Sequence, residues 1–257
     1  IHTDPEGTRD VEPGPDVRVF HWSGTEHGHG IWPPADAAAV AADPRGWTER
    51  ARNLRGVVNY SRLLRAALVN LDRWVTAGVP PPASCHPRIA DGTAVDPGAL
   101  AALFDRMPGA CYPRHPVRAR RLDFSTLPPR IGPAYGNRVS AVDTDGNERA
   151  GISVPELAVP LATHTGWNLR HPASGGVEQI LYFAGSTLPF APTRAEREAT
   201  GDPRPAIAER YASRDDYLAR VRAAAVALAA AGYLLEEDVE TSLAFGARMW
   251  DQWAAKV

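Results

Sequence analysis

The stretch Val17-Arg18-Val19-Phe20-His21-Trp22-Ser23-Gly24-Thr25-Glu26-His27-Gly28-His29-Gly30 concentrates the chemistry-bearing residues of this chain. An apolar run ends at a glycine turn and presents a histidine at once, which is how a general base is mounted at the end of a sheet. In hydrolases with a Ser-His-acid triad, the α/β-hydrolase order puts the nucleophile first, the acid second and the histidine last, after the final core strand. Strand-Gly-Thr-Glu-His-Gly fits that last station, with Gly24 and Gly28 permitting a tight backbone. No G-x-S-x-G occurs in the 257 residues. Ser186 in Gly185-Ser186-Thr187 and Ser174 before Gly175-Gly176 lack the strand-to-helix elbow. If His27 is catalytic, its nucleophile and acid are expected upstream of Ile1 or on another chain.

The rival chemistry is a metal site. His27 and His29 share one side of an extended segment, and His21, Glu26 or Asp4 could add a ligand. A third reading is a binding module without catalysis, with loops 22–34 and 163–170 forming a ligand surface. His29, Trp32 and Trp167 are candidate pocket residues beside His27. Asp143, Asp145 and Gly146 echo a calcium loop, but no Glu closes a twelve-residue frame, so they read as a turn. No residue pattern calls for a cofactor.

The elements that must position these residues follow from periodicity. Residues 17–22 carry apolar side chains on both faces and read as a strand covered on both sides. The alanine-rich 35–42 reads as a short helix. Over 57–77, Tyr60, Leu63, Leu64, Ala67, Leu68, Leu71, Trp74 and Val75 recur at three and four, which predicts a helix with a wide buried stripe. Gly78 and Pro80-Pro81-Pro82 end it. Eleven prolines between Pro80 and Pro133 make that segment mostly loop, with a short helix near 99–106 opened by Asp96-Pro97. Residues 139–152 read as a β-hairpin around Asp143–Gly146. Thr193 and Ser213 start helices, the second running to Gly232 with Tyr217, Leu218, Val221, Ala225 and Leu228 inward. Acidic 236–238 open a last helix whose inner face holds Val239, Leu243, Gly246, Trp250 and Trp253.

Composition bounds the partners. With 44% hydrophobic and 23% charged residues and a net charge of -2, the chain offers no basic face of the kind nucleic acid requires. No apolar run approaches the length of a membrane span, so neither nucleic acid nor membrane is expected as a partner. Lys256 is the sole lysine among 28 basic residues, a bias that fits a GC-rich genome. Cys85 and Cys111 could form one disulfide, but they are not the dense pattern of a small secreted scaffold. The compartment is not fixed by the sequence.

Three segments resemble a bacterial family of α/β-hydrolase domain proteins, distantly similar to tannases and feruloyl esterases. They are Val17–His29; Leu68–Pro81 with Asp91-Gly92-Thr93; and Val159–Arg170 continuing to Gly201–Arg204 and Glu209–Tyr211. The resemblance implies a serine hydrolase of the carboxylic-ester type, with His27 as triad histidine and a small-molecule ester as substrate. It also implies that the serine and acid lie in an N-terminal half not included here. The expected fold is α/β: residues 1–135 as the C-terminal part of an α/β-hydrolase core with a Pro-rich loop, and 136–257 as a mixed α+β extension packed on it.

Overall fold

Residues 19–23 are extended and hydrogen-bonded on both sides. Cys85 donates to the Val19 carbonyl and accepts from His21, and Ser23 donates to Ile152. The pairings are parallel but single, Phe20 with Cys85 and Trp22 with Ile152. The expected strand over 17–22 is therefore shorter and less regular. The next ladder donor beyond Cys85 would be Pro87, which has no N–H, and the His21 carbonyl takes the Ile152 N–H at 2.7 Å instead. Val17 lies outside the pairing, 46% exposed. This computed structural model describes residues 1–34, 50–116, 118–255 and 257; the helix expected over 35–42 lies outside them.

Helix and sheet are mixed along the chain, consistent with an α/β class. The elements are β1 (Leu54–Arg55), α1 (Ser61–Ala77), β2 (Ala94–Val95), a 3-10 turn (Pro97–Leu100) running into α2 (Ala101–Phe104), β3 (Arg120–Asp123), β4 (Arg130–Ala134), β5 (Val139–Ser140), α3 (Pro155–Ala158), β6 (Ala162–Thr165), β7 (Ser186–Pro189), α4 (Arg194–Thr200), α5 (Ile207–Arg210), α6 (Arg214–Ala230) and α7 (Asp238–Trp253). The named strands pair antiparallel, as a β1-β7-β6 sheet and the two-stranded pairs β2-β5 and β3-β4. Helix starts follow local chemistry: the side chains of Asp96, Thr193 and Ser213 accept the backbone N–H of Gly98, Glu196 and Asp216, each satisfying a donor the helix leaves open.

Two apolar clusters form the bulk of the core. One joins Val57, Leu161, Ala162 and Phe190 to the inner faces of α6 and α7, including Tyr217, Val221, Met249, Trp250 and Trp253. The other gathers Val58, Leu63, Ile152, Val154, Leu157, Ala225 and Leu234, with Phe20, Trp22 and Tyr60 packed against it. Buried ion pairs lock the periphery to this core. Arg204 is held by Asp202 and reaches the Thr163 hydroxyl and the Leu188 carbonyl, and Arg210 grips Asp145 through two nitrogens. The expected turn at 143–146 forms: the Asp143 carboxylate accepts the N–H of Asp145 and Asn147.

The buried face of α1 departs from the expected one. Leu63 is buried, but its companions are Arg62 and Ala66. Leu64, Leu68, Leu71 and Val75 are exposed, Val75 by 78%. The helix is rotated because Arg62 points inward, pairing with Glu156 and donating to the Ser242 hydroxyl at 2.5 Å. A buried carboxylate needs a paired cation, and Arg62 fills that need for Glu156.

Candidate active site

The loop 23–30 leaves one core cluster and enters the other. Trp22 packs on the cluster around Ile152, and Trp32 packs edge-on against Phe245 and Trp253 in the other. Between them nearly every residue is tied. The Ser23 hydroxyl donates to the Ala150 carbonyl and the Thr25 hydroxyl to the Trp22 carbonyl, both at 2.7 Å. Gly24 has φ 64°, a left-handed turn that suits glycine. The Tyr60 hydroxyl, stacked under Trp22, donates to the His27 carbonyl at 3.0 Å. Gly30 donates to the Val58 carbonyl, and a Cβ there would lie 2.2 Å from Val57.

Glu26 is the central mooring. Its carboxylate accepts the Gly185 N–H at 2.5 Å and lies beside Gly56, at the β1–β7 pairing where Gly56 donates to the Gly185 carbonyl. Burial pushes the Glu26 carboxyl above its usual range, offset in part by the N–H groups of Gly185 and Gly56 and by the nearby charges of Arg55 and His29.

The His27 side chain is exposed, unlike its backbone surroundings. Its ring lies on Phe183, centroids 4.2 Å apart and tilted by 33°. Phe183 is the only non-glycine with positive φ among the described residues, at 58°. That costs a non-glycine residue of order 1 kcal/mol and is found where surrounding structure enforces it. Among the described residues no hydroxyl or carboxylate hydrogen-bonds the His27 ring. The arrangement is a fixed backbone presenting an accessible imidazole, able to exchange a proton with a group brought to it.

The other candidate residues are dispersed. His29 is exposed on the same loop, close enough to Glu26 to stabilise its charge. Trp32 belongs to the ring cluster of α7 and does not line the cavity that holds Trp167. Trp167 lines a cavity of about 890 Å³, where its ring meets Phe104 and Tyr112 edge-on. His27 is not among the residues lining that cavity. His27 and His29 are joined by no further ligand: among the described residues no three His, Cys, Asp or Glu side chains assemble as a metal site. Cys85 and Cys111 are unpaired.

Two features of the cavity wall have no signal in the sequence: the partner of His21 and the burial of His164, a residue that with Trp167 reads as a candidate pocket wall. His21 Nε2 hydrogen-bonds the Glu148 carboxylate, a partner 127 positions away with no local signal. Gly151 makes room for it, since a Cβ there would meet the His21 carbonyl at 2.5 Å. His164 is 1% exposed, and neither ring nitrogen has a partner. Burial lowers its pKa to about 3, so its imidazole is neutral at physiological pH and a poor proton acceptor there.

A family model described as an alpha/beta hydrolase domain matches residues 3–244. No curated protein and no solved structure matches the chain.

Proposed function

The chain belongs to the alpha/beta hydrolase domain family, and from that premise we propose that it serves a serine hydrolase acting on small carboxylic esters, with His27 as general base. In this reading the chain is the C-terminal portion of the fold, and the serine and the acid come from outside residues 1–257. His27 takes the serine proton as Oγ attacks the ester carbonyl, then returns it to the departing alkoxide. It next deprotonates the water that releases the acyl group. The observation that carries the reading is the contrast within one loop: Ser23, Thr25, Glu26, the His27 carbonyl and Gly30 are all tied down, while the His27 imidazole stands exposed. A catalytic base has to be positioned to within about 0.5 Å by its supports while its reactive edge stays open.

The test is labelling of the full-length protein with a fluorophosphonate ester, which reacts with activated serines. Wild type is expected to label and to hydrolyse a short-chain p-nitrophenyl ester, and His27→Ala to lose both. Retained labelling and turnover in His27→Ala would sink the assignment.

The cavity at Trp167 favours a second reading, a ligand-binding module with no acyl transfer. A cavity of about 890 Å³ with an aromatic wall of Phe104, Tyr112 and Trp167 is of the size and lining that small molecules occupy. Saturable quenching of tryptophan fluorescence that vanishes in Trp167→Phe, with no esterase activity in the full-length protein, would favour it.

A further inference from the structure

The pair β3–β4 stands apart from the rest of the fold. An isolated two-stranded hairpin is marginal in water unless a face is covered, yet here Leu122, Phe124, Leu127 and Ile131 are 48%, 75%, 96% and 71% exposed. Leu122 and Ile131 face each other across the pair, and Phe124 and Leu127 occupy the connecting loop. The base of the hairpin is secured: Arg121 donates to Glu6 at 2.7 Å and lies over the Tyr135 ring, and Gly136 donates to the Pro5 carbonyl at 2.8 Å. Among the described residues the tip has no such ties to the core.

Charge indicates what would cover it. Residues 118–135 hold four arginines against one aspartate, a net +3 in a chain whose formal net charge is -2. Among the described residues Arg118, Arg120 and Arg130 make no ion pair, and all three are exposed. Apolar side chains at a tip, ringed by arginines with long stems, match a boundary where hydrocarbon meets anionic headgroups. A flat acidic protein face would meet the charge but leave Phe124 and Leu127 without an apolar medium.

We infer that the β3–β4 hairpin is a membrane-surface anchor, inserting Phe124 and Leu127 shallowly into an anionic lipid surface while Arg118, Arg120 and Arg130 contact its headgroups. This is a surface contact. It differs from the spanning demand that led the sequence to no membrane partner, and no helix among the described residues is long and apolar enough to cross a membrane. It is also independent of the role of His27.

The test is co-sedimentation of the purified chain with vesicles of equimolar phosphatidylserine and phosphatidylcholine, against vesicles of phosphatidylcholine alone. Wild type is expected to pellet with the anionic vesicles only, and less so as salt is raised. Each arginine near an anionic surface is worth about a five-fold change in partitioning. Arg118→Gln/Arg120→Gln/Arg130→Gln should therefore weaken binding by about two orders of magnitude. Phe124→Ser/Leu127→Ser should weaken it in both low and high salt. All five residues are exposed, so both variants should keep the wild-type melting curve, which separates lost binding from lost folding. Wild type remaining in the supernatant with anionic vesicles would overturn the inference, as would undiminished binding by either variant. A concentration-dependent dimer abolished by Phe124→Ser/Leu127→Ser, without vesicle binding, would also overturn it and assign the hairpin to a second copy of the chain.

Discussion

Replacing Glu26 tests the fold and the site together. Its carboxylate accepts the N–H of Gly185, which is buried. Glu26→Ala removes the acceptor of the Gly185 N–H, while the Gly56 N–H keeps the Gly185 carbonyl. A buried donor left unmade costs about 1–3 kcal/mol. We expect a loss within that range, toward its low end because the deleted carboxyl leaves space a water can enter. Glu26→Gln keeps one oxygen acceptor and discards the desolvated charge, so its loss should be smaller.

The pH dependence fixes the sign. Burial raises the carboxyl pKa in the folded state above its ordinary 4.5, so the folded state holds this proton more tightly than the unfolded one. The contribution of that proton is complete below pH 4.5 and is lost as pH rises through the raised folded value. Glu26→Gln has no such proton, so its deficit against wild type should be larger at acid pH than at neutral pH. Urea denaturation of wild type and both variants at two pH values measures this. The same variants should slow fluorophosphonate labelling of the full-length protein by about 10- to 100-fold, because a misplacement of about 1 Å carries that cost. Unchanged stability in Glu26→Ala, or a pH profile for Glu26→Gln parallel to wild type, would refute the reasoning.

Two further outcomes rest on buried charge. Glu156 is fully buried against Arg62, so Glu156→Ala, which strands the guanidinium, should cost about 3–5 kcal/mol by urea denaturation. Arg62→Met/Glu156→Leu should restore most of that, since apolar replacement of both partners is often near neutral. His164 prefers its proton in the unfolded chain, because its folded pKa of about 3 lies below the ordinary 6.5. Its contribution to stability is complete above pH 6.5 and is lost as pH falls toward about 3. His164→Leu should remove up to about 1.4 kcal/mol per pH unit from the slope of stability in that window, and an unchanged slope would contradict the buried neutral imidazole.

What the sequence made legible is what short-range chemistry decides. Asp96, Thr193 and Ser213 cap helices because an oxygen two or three residues before an open N–H finds it whatever the tertiary context. The turn at Asp143–Gly146 follows from the same local bonding. The inward residues of α6 and α7 were legible in good part, Tyr217, Val221, Ala225, Gly246, Trp250 and Trp253 being buried. On α1 the apolar stripe misled, because the orientation was set by Arg62 answering a carboxylate 94 positions away. Along 17–22 the pairing with Cys85 does not continue past Phe20, because Pro87 has no N–H to offer the His21 carbonyl. Within the site, the pattern singled out His27 and gave Glu26 a place only in the metal reading. Nothing near Glu26 in sequence shows that it serves the Gly185 N–H.

That long-range role of Glu26 connects two oddities that otherwise look separate. Phe183 sits in the left-handed region, and its ring is the surface on which His27 lies. Two residues later Gly185 donates to Glu26, one residue before His27. One carboxylate therefore anchors both backbones, and the His27–Phe183 ring contact is built across that anchor. A side chain larger than hydrogen at position 185 would meet the Thr165 carbonyl at 2.4 Å and Glu26 Cβ at 3.2 Å, so the close approach depends on glycine there. The positive φ at Phe183 sets its ring, itself 66% exposed, against one face of the His27 imidazole. The His27 side chain is exposed and its ring has no hydrogen-bond partner among the described residues. A loop selected only for stability would gain by relaxing Phe183 to negative φ. A loop selected to aim His27 would not, because relaxing Phe183 moves the ring against which His27 is set.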